Sequence, residues 1–184
     1  MKLLFKTLVV IIAAVVISAL CYQLLPENNK PIIISHLRSI NPDTPLDEIL
    51  KNNGIKIDDN ASLYVDLSTR TLHFKYKDET LKKYRIAGGS KTDNGNKEKE
   101  GDYRTPRGEF YICSKRAYSP SKKYVGSRSM LLSYPDISAA ERGLENKSID
   151  IDVFNSIKRA TEKKQIPPQN TPLGSAITIH GGAE

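Results

Sequence analysis

Hydrophobic and polar positions along the chain fall into three textures. From Thr7 to Leu25 nearly every residue is apolar, and Lys2 and Lys6 stand ahead of the run. That length suits a helix crossing a bilayer, and basic residues before an apolar stretch mark an export signal or a signal anchor. No small-x-small cleavage site stands out, because Ile17 lies two residues before Ala19. Leu20, before Cys21, is too bulky for a lipoprotein site. The pattern favours an uncleaved transmembrane anchor over residues 1–25 rather than a cleaved signal. Either one predicts that the remainder is exported, to the periplasm or the cell-wall face.

The second texture is polar, from Pro26 to about Asn60, a stalk over residues 26–60 with one short helix. Thr44 suits its N-cap, Pro45 its first position, Asp47 and Glu48 its first turn, and Gly54 its end. Leu46, Ile49 and Leu50 then share a face. The third texture, residues 61–184, alternates with period two and predicts strands at Leu63–Leu67, Thr71–Tyr76, Leu81–Ala87, Phe110–Cys113, Met130–Ser133 and Ala176–Ile179. The first three follow one another closely enough to form a meander. Tyr118 to Arg128 reads as a basic loop, a solvated flap or a cover over an anionic substrate. Asp136 is expected to cap a short helical turn through Arg142 that ends at Gly143. A longer helix is expected over Asp150–Lys164, burying Val153, Ile157 and Ala160. The fold class is therefore mainly β, with one or two packed helices.

Charge narrows the partners. The net charge is +7 and the pI about 9.3, which suits a polyanionic neighbour such as nucleic acid, anionic lipid or an acidic wall polymer. Aromatic residues make up 7% with no Trp, too few to suggest base-stacking platforms, so nucleic acid is discounted. Cys21 ends the apolar run and Cys113 lies in the body, which argues against a disulfide between them.

Candidate chemistry gathers at the end of the chain. In Pro172-Leu-Gly-Ser-Ala-Ile-Thr-Ile-His180-Gly-Gly182 a short strand delivers His180 onto a glycine pair. A histidine there stands where a general base would, and Gly181 and Gly182 let the backbone turn sharply and lie close to another group. Cys113 has no helix N-terminus after it to lower its pKa and reads as a structural thiol. His73 sits on a strand between Leu72 and Phe74 with no metal-spaced partner, so it reads as a solvated strand-face histidine. His36 belongs to the stalk. Gly88-Gly89 is not followed by the Lys-Ser/Thr pair of a phosphate loop. No metal or cofactor is expected.

Three phrases, in this order and spacing, resemble the L,D-transpeptidase catalytic domain, and most closely its murein transpeptidase branch. They are Lys97-Glu-Lys-Glu-Gly-Asp-Tyr-Arg-Thr-Pro-Arg-Gly108, Leu131-Leu-Ser-Tyr-Pro135 with Arg142-Gly143, and Leu173-Gly-Ser-Ala-Ile-Thr-Ile-His-Gly-Gly182. The resemblance implies a β-sandwich or barrel acting on peptidoglycan stem peptides. It makes His180 the general base and the carbonyl of Gly181 the group that orients its imidazole. The family's nucleophile is a cysteine in a Ser/Thr-x-Gly-Cys phrase downstream of that histidine. No such phrase occurs in these residues, and the expectation is a catalytic domain cut short before it, inactive as it stands. A wall-peptide hydrolase of the same family and a non-catalytic wall-binding or decayed product are the competing readings.

Overall fold

The computed structural model describes residues 43–122 and 124–182. The expected anchor, the first half of the stalk (residues 26–42), Cys21 and His36 lie outside the described residues. Among the described residues no helix is long and apolar enough to cross a membrane. The chain divides into two units, residues 1–58 and 59–184. The described part of the first holds helix α1 (Leu46–Asn52), with Ile49 buried. Pro45, not Thr44, occupies its N-cap position. Gly54 follows the C-cap Asn53 with φ +62°, the left-handed stop expected of it.

In the second unit, strands β1 (Ala61–Asp66), β2 (Thr71–Tyr76) and β3 (Glu79–Arg85) form the expected antiparallel meander. β2 buries Leu72, Phe74 and Tyr76 on one face. The alternate His73 meets the Tyr64 ring edge-on at 5.6 Å and has Thr71 Oγ1 at 3.0 Å from its Nε2. Asp66 holds the β1–β2 turn by accepting from the Ser68 hydroxyl and the Ser68 and Thr69 amides. Those hydrogen bonds, Ser68 foremost, bring its pKa down to about 2. β3 starts two residues earlier than the alternation suggests. The hairpin turns on Lys77 and Asp78 alone, both at positive φ, as a two-residue turn requires.

A second antiparallel sheet has the order β4 (Ile112–Lys122), β5 (Gly126–Leu132), β6 (Thr178–His180). Here three expectations are corrected. Tyr118–Arg128 is not a loop: most of it belongs to a hairpin of β4 and β5. Pro120 is tolerated because β4 is an edge strand and its register slips between Ala117 and Lys122. β4 begins at Ile112, not Phe110, because Phe110 turns into the core and meets the Tyr134 ring edge-on. β6 starts at Thr178, since Ala176 sits at φ +55° and its amide donates to Gln169 Oε1 at 2.8 Å.

Helices α2 (Ile137–Glu145) and α3 (Ile151–Glu162) are capped by Asp136 and Asp150, whose carboxylates accept from the amides of Ala139 and Val153. Gly143 does not end α2. It is buried within it, where a Cβ would come within 2.8 Å of Leu173 Cδ2 and 3.2 Å of Ile149 Cγ1. The glycine is thus a packing site and not a stop signal. The core gathers Tyr134, Ala139, Ala140, Ile149, Ile157 and Leu173, with Val153, Phe110 and Ile177 against it. The body is mainly β, as expected, and its described strands form two separate three-stranded sheets.

Candidate active site

His180 ends β6, and what delivers it there is a set of anchors on the preceding segment. Leu173 is sunk in the core, and its carbonyl accepts from the Tyr134 hydroxyl at 3.0 Å. The Pro172 carbonyl accepts from the Glu100 amide at 2.9 Å. Gln169 donates to the Tyr134 carbonyl at 2.9 Å while accepting from Ala176. Gly174, at φ +93°, leaves room for Lys97, whose Cε would lie 3.0 Å from an added Cβ.

Lys97 is itself buried and pairs with buried Asp102 at 2.8 Å. Asp102 also accepts from the amides of Glu98, Lys99 and Arg104. Burial opposes its charge, but Lys97 and these three amides together outweigh burial and hold the carboxyl well below its usual range. The loop before Thr105 is thereby folded into a rigid block beneath the 172–174 segment. Gly89 packs on the same block: an added Cβ would meet the Tyr103 carbonyl carbon at 2.9 Å, and the Gly89 amide donates to Thr105 Oγ1 at 2.8 Å. Gly88-Gly89 serves close backbone packing here.

At the site, His180 Nδ1 lies 2.9 Å from the Gly181 carbonyl oxygen. A carbonyl only accepts, so Nδ1 carries the hydrogen, and in the neutral ring Nε2 keeps its lone pair. Gly182 has φ +81°, and a Cβ on it would lie 2.5 Å from Gly126 N. Gly126, at φ +67°, meets Gly181 in return. The glycine pair therefore does lie close to another group, the turn between β4 and β5.

Register sets the neighbours. His180 stands opposite Ser129, and Ser129 opposite Arg116. Directly opposed residues share a face, so these three form one row across the sheet. Tyr118 hydrogen-bonds buried Ser129 at 3.1 Å. A cavity of about 290 Å³ opens on this face, lined by Arg116, Tyr118, Ser129, Leu131, Gln169 and Thr178 among others. A second, of about 430 Å³, is bordered by Lys115, Arg128, Met130 and Ile179 and reaches His180.

Cys113 is not brought to His180. It falls at the register shift between Ile112 and Ser114, three residues along β4 from Arg116. At strand rise and spacing that puts it about 14 Å from His180, far outside hydrogen-bond reach. Burial also raises its pKa, which disfavours the thiolate. Among the described residues no group of three or more His, Cys, Asp or Glu could hold a metal ion.

Compared with known protein families, residues 60–184 match the L,D-transpeptidase catalytic domain. The chain belongs to that family. No curated protein and no solved structure gives a match. Sequence reasoning had singled out His180 and Gly181 of this L,D-transpeptidase domain, but not Tyr118, Ser129, Arg116 or Gln169 as their surroundings. The first three would have been found by reading β4 and β5 through the basic stretch as strands. Nothing in the sequence marks Gln169, because its partners are backbone groups brought near only by folding.

Proposed function

We propose that this domain takes part in acyl transfer on peptidoglycan stem peptides, with His180 as general base and the Gly181 carbonyl orienting its ring. The observation that carries the reading is the 2.9 Å Nδ1 contact to Gly181, which leaves Nε2 free to accept a proton. A cysteine thiol gives its proton to Nε2, and the thiolate attacks the carbonyl between the third and fourth stem residues. The carbon–nitrogen bond breaks, the imidazolium returns the proton to the leaving D-alanine amine, and a thioester remains. An amine of a neighbouring stem then forms the cross-link, or water hydrolyses the thioester. The N-terminal anchor would hold the domain at the outer face of the membrane, beside the wall. Cys113 is too far from His180 and too thiol-like to be the nucleophile, and residues 1–184 hold no Ser/Thr-x-Gly-Cys phrase.

The test is release of D-alanine from tetrapeptide muropeptides. A chain continued through a Ser/Thr-x-Gly-Cys phrase is expected to release it, and His180→Ala to slow that release by roughly a hundred- to ten-thousand-fold. Residues 1–184 alone are expected to release none. Release by residues 1–184 that Cys113→Ser abolishes would make Cys113 the nucleophile and overturn the reading.

A further inference from the structure

We infer that the β4–β5 hairpin docks on a bilayer through the face carrying Lys115, Arg128, Met130 and Ile179, with anionic phospholipid headgroups as its ligand. The inference rests on the reading of Thr7–Leu25 as a membrane anchor. It adds a second contact, one that brings the turn packed on Gly181 and Gly182 to the membrane surface.

β4 is exposed over most of its length, at eight of its eleven residues. The run Lys115, Arg116, Ala117 is exposed throughout, so both faces of the strand meet solvent. Register puts Lys115, Met130 and Ile179 in one row and Ala117 and Arg128 in the next, on the face opposite to Ser129. Met130 and Ile179 are half-buried, and the other three are exposed. All five border the cavity of about 430 Å³. Lys115 and Arg128 are diagonal neighbours across the strand pair, about 7–8 Å apart. Two cations thus flank an apolar floor of Ala117, Met130 and Ile179.

Charge decides what such a surface takes. From Phe110 to Pro135 the sequence has five Lys or Arg and no Asp or Glu. No ion pair among the described residues engages Lys115 or Arg128. Beside an anionic bilayer each such cation favours association about five-fold. The floor gains by lying against the acyl boundary while the cation stems reach to the phosphates. A polyanion dissolved in water offers the charge but nothing for the floor. Tyr124, 73% exposed in the turn, is of the type that settles at headgroup level. The stalk, 35 residues from 26 to 60, reaches at most about 120 Å when extended. An anchor at its start therefore keeps the hairpin near a bilayer at high effective concentration. The first sheet has no equivalent surface: Lys75 lies 3.9 Å from Asp78, and Asp66 stands in the same row as Arg85.

The experiment places the full 184-residue chain in nanodiscs with a spin label on the lipid headgroup. One set is phosphatidylcholine alone, and the other has phosphatidylglycerol added. The chain has two methionines, Met1 and Met130, so the Met130 methyl signal reports this face by NMR. Val65 on β1 is the exposed reference. With anionic lipid the Met130 methyl is expected to relax faster than Val65. The difference should vanish in neutral discs, and at 1 M salt, where screening shortens to about 3 Å. Lys115→Ala and Arg128→Ala should each lower the ratio of docked to free chain about five-fold. Lys83→Ala removes an exposed cation from β3, on the other sheet, and should leave the ratio unchanged. Equal relaxation of Met130 in neutral and anionic discs, or an effect that survives Lys115→Ala and Arg128→Ala together, overturns the docking face while the anchor stands. So does an equal loss with Lys83→Ala, which would make the attraction a matter of net charge. A soluble phosphodiester polymer that shifts Met130 as strongly as anionic discs do gives the face to a wall polymer and overturns the lipid. A chain that does not enter neutral discs removes the anchor, and this inference with it.

Discussion

Asp102 shows how a single residue far from the chemistry can hold a site together. Its carboxylate satisfies Lys97 and three backbone amides in a block that braces the segment before β6. Because folding depresses its pKa, its contribution is complete above the ordinary carboxyl value of 3.8 and is lost as pH falls below that value. Asp102→Asn leaves Lys97 buried without its counter-charge and is expected to cost about 3–5 kcal/mol at neutral pH. Urea denaturation across pH checks this: the difference between the two proteins should be full at neutral pH and shrink progressively as pH falls below 3.8, where the unfolded carboxyl takes up its proton first. Gly182 is the second residue whose identity is set by contact. At φ +81° with Gly126 N in the way of any Cβ, Gly182→Ala should lower stability by about 1–2 kcal/mol and displace the His180 turn. A thermal melt, with the His180 ring signals by NMR, reads both effects.

Among the elements, β6 is the one whose position depends least on itself. It has three residues, pairs among the described residues with β5 alone, and is carried by the anchored segment before it. Tyr134 is the central anchor. It is buried, packs against Phe110, and gives its hydroxyl to Leu173. Tyr134→Phe keeps the ring and strands the Leu173 carbonyl, so a loss of about 1–3 kcal/mol is expected in chemical denaturation. An unchanged midpoint would mean that the carbonyl finds another donor. The β4–β5 hairpin is the opposite case, long and stabilised by its own register. Its basic sequence resembled a loop because Lys, Ser, Pro and Gly are loop residues by composition. A hairpin edge accepts all four, with Pro120 at an irregularity and Gly126 at positive φ.

For the whole molecule, the proposed tether and the net charge of +7 make separate demands on membrane association. A helical anchor holds through salt, whereas attraction of a basic body to anionic lipid is screened within about 10 Å at 0.1 M salt. The full chain is expected in the membrane fraction, released by detergent and retained in high-salt washes. Recovery from the soluble cytoplasm would remove the anchor. The core sets a second expectation at this scale. Ile157 is fully buried where α3 meets Tyr134 and Leu173. Ile157→Ala should cost about 2–5 kcal/mol and loosen the segment leading to His180 along with the helix, read by hydrogen exchange at Thr178 and Ile179.

The sequence by itself determined what depends on near neighbours along the chain. Alternation in Thr71–Tyr76 located β2, Asp136 and Asp150 announced the helix starts, and the Ile-His-Gly-Gly phrase singled out His180, with the family resemblance adding the Gly181 carbonyl beside it. These signals are local because they arise from side-chain period, from a cap three residues from its amide, and from a hydrogen bond between adjacent residues. Tertiary structure alone decided the rest. Gly143 is a glycine because Leu173, thirty positions on, leaves no space for a methyl group. Lys97 and Asp102 are buried as a pair because the segment carrying Gly174 closes over them. Arg116, Ser129 and His180 form one row only through the register of three strands, two of them joined by a hairpin and the third arriving from beyond two helices. Pairing between residues so far apart in the chain leaves no periodic trace in any one segment, so the row became visible only in the fold.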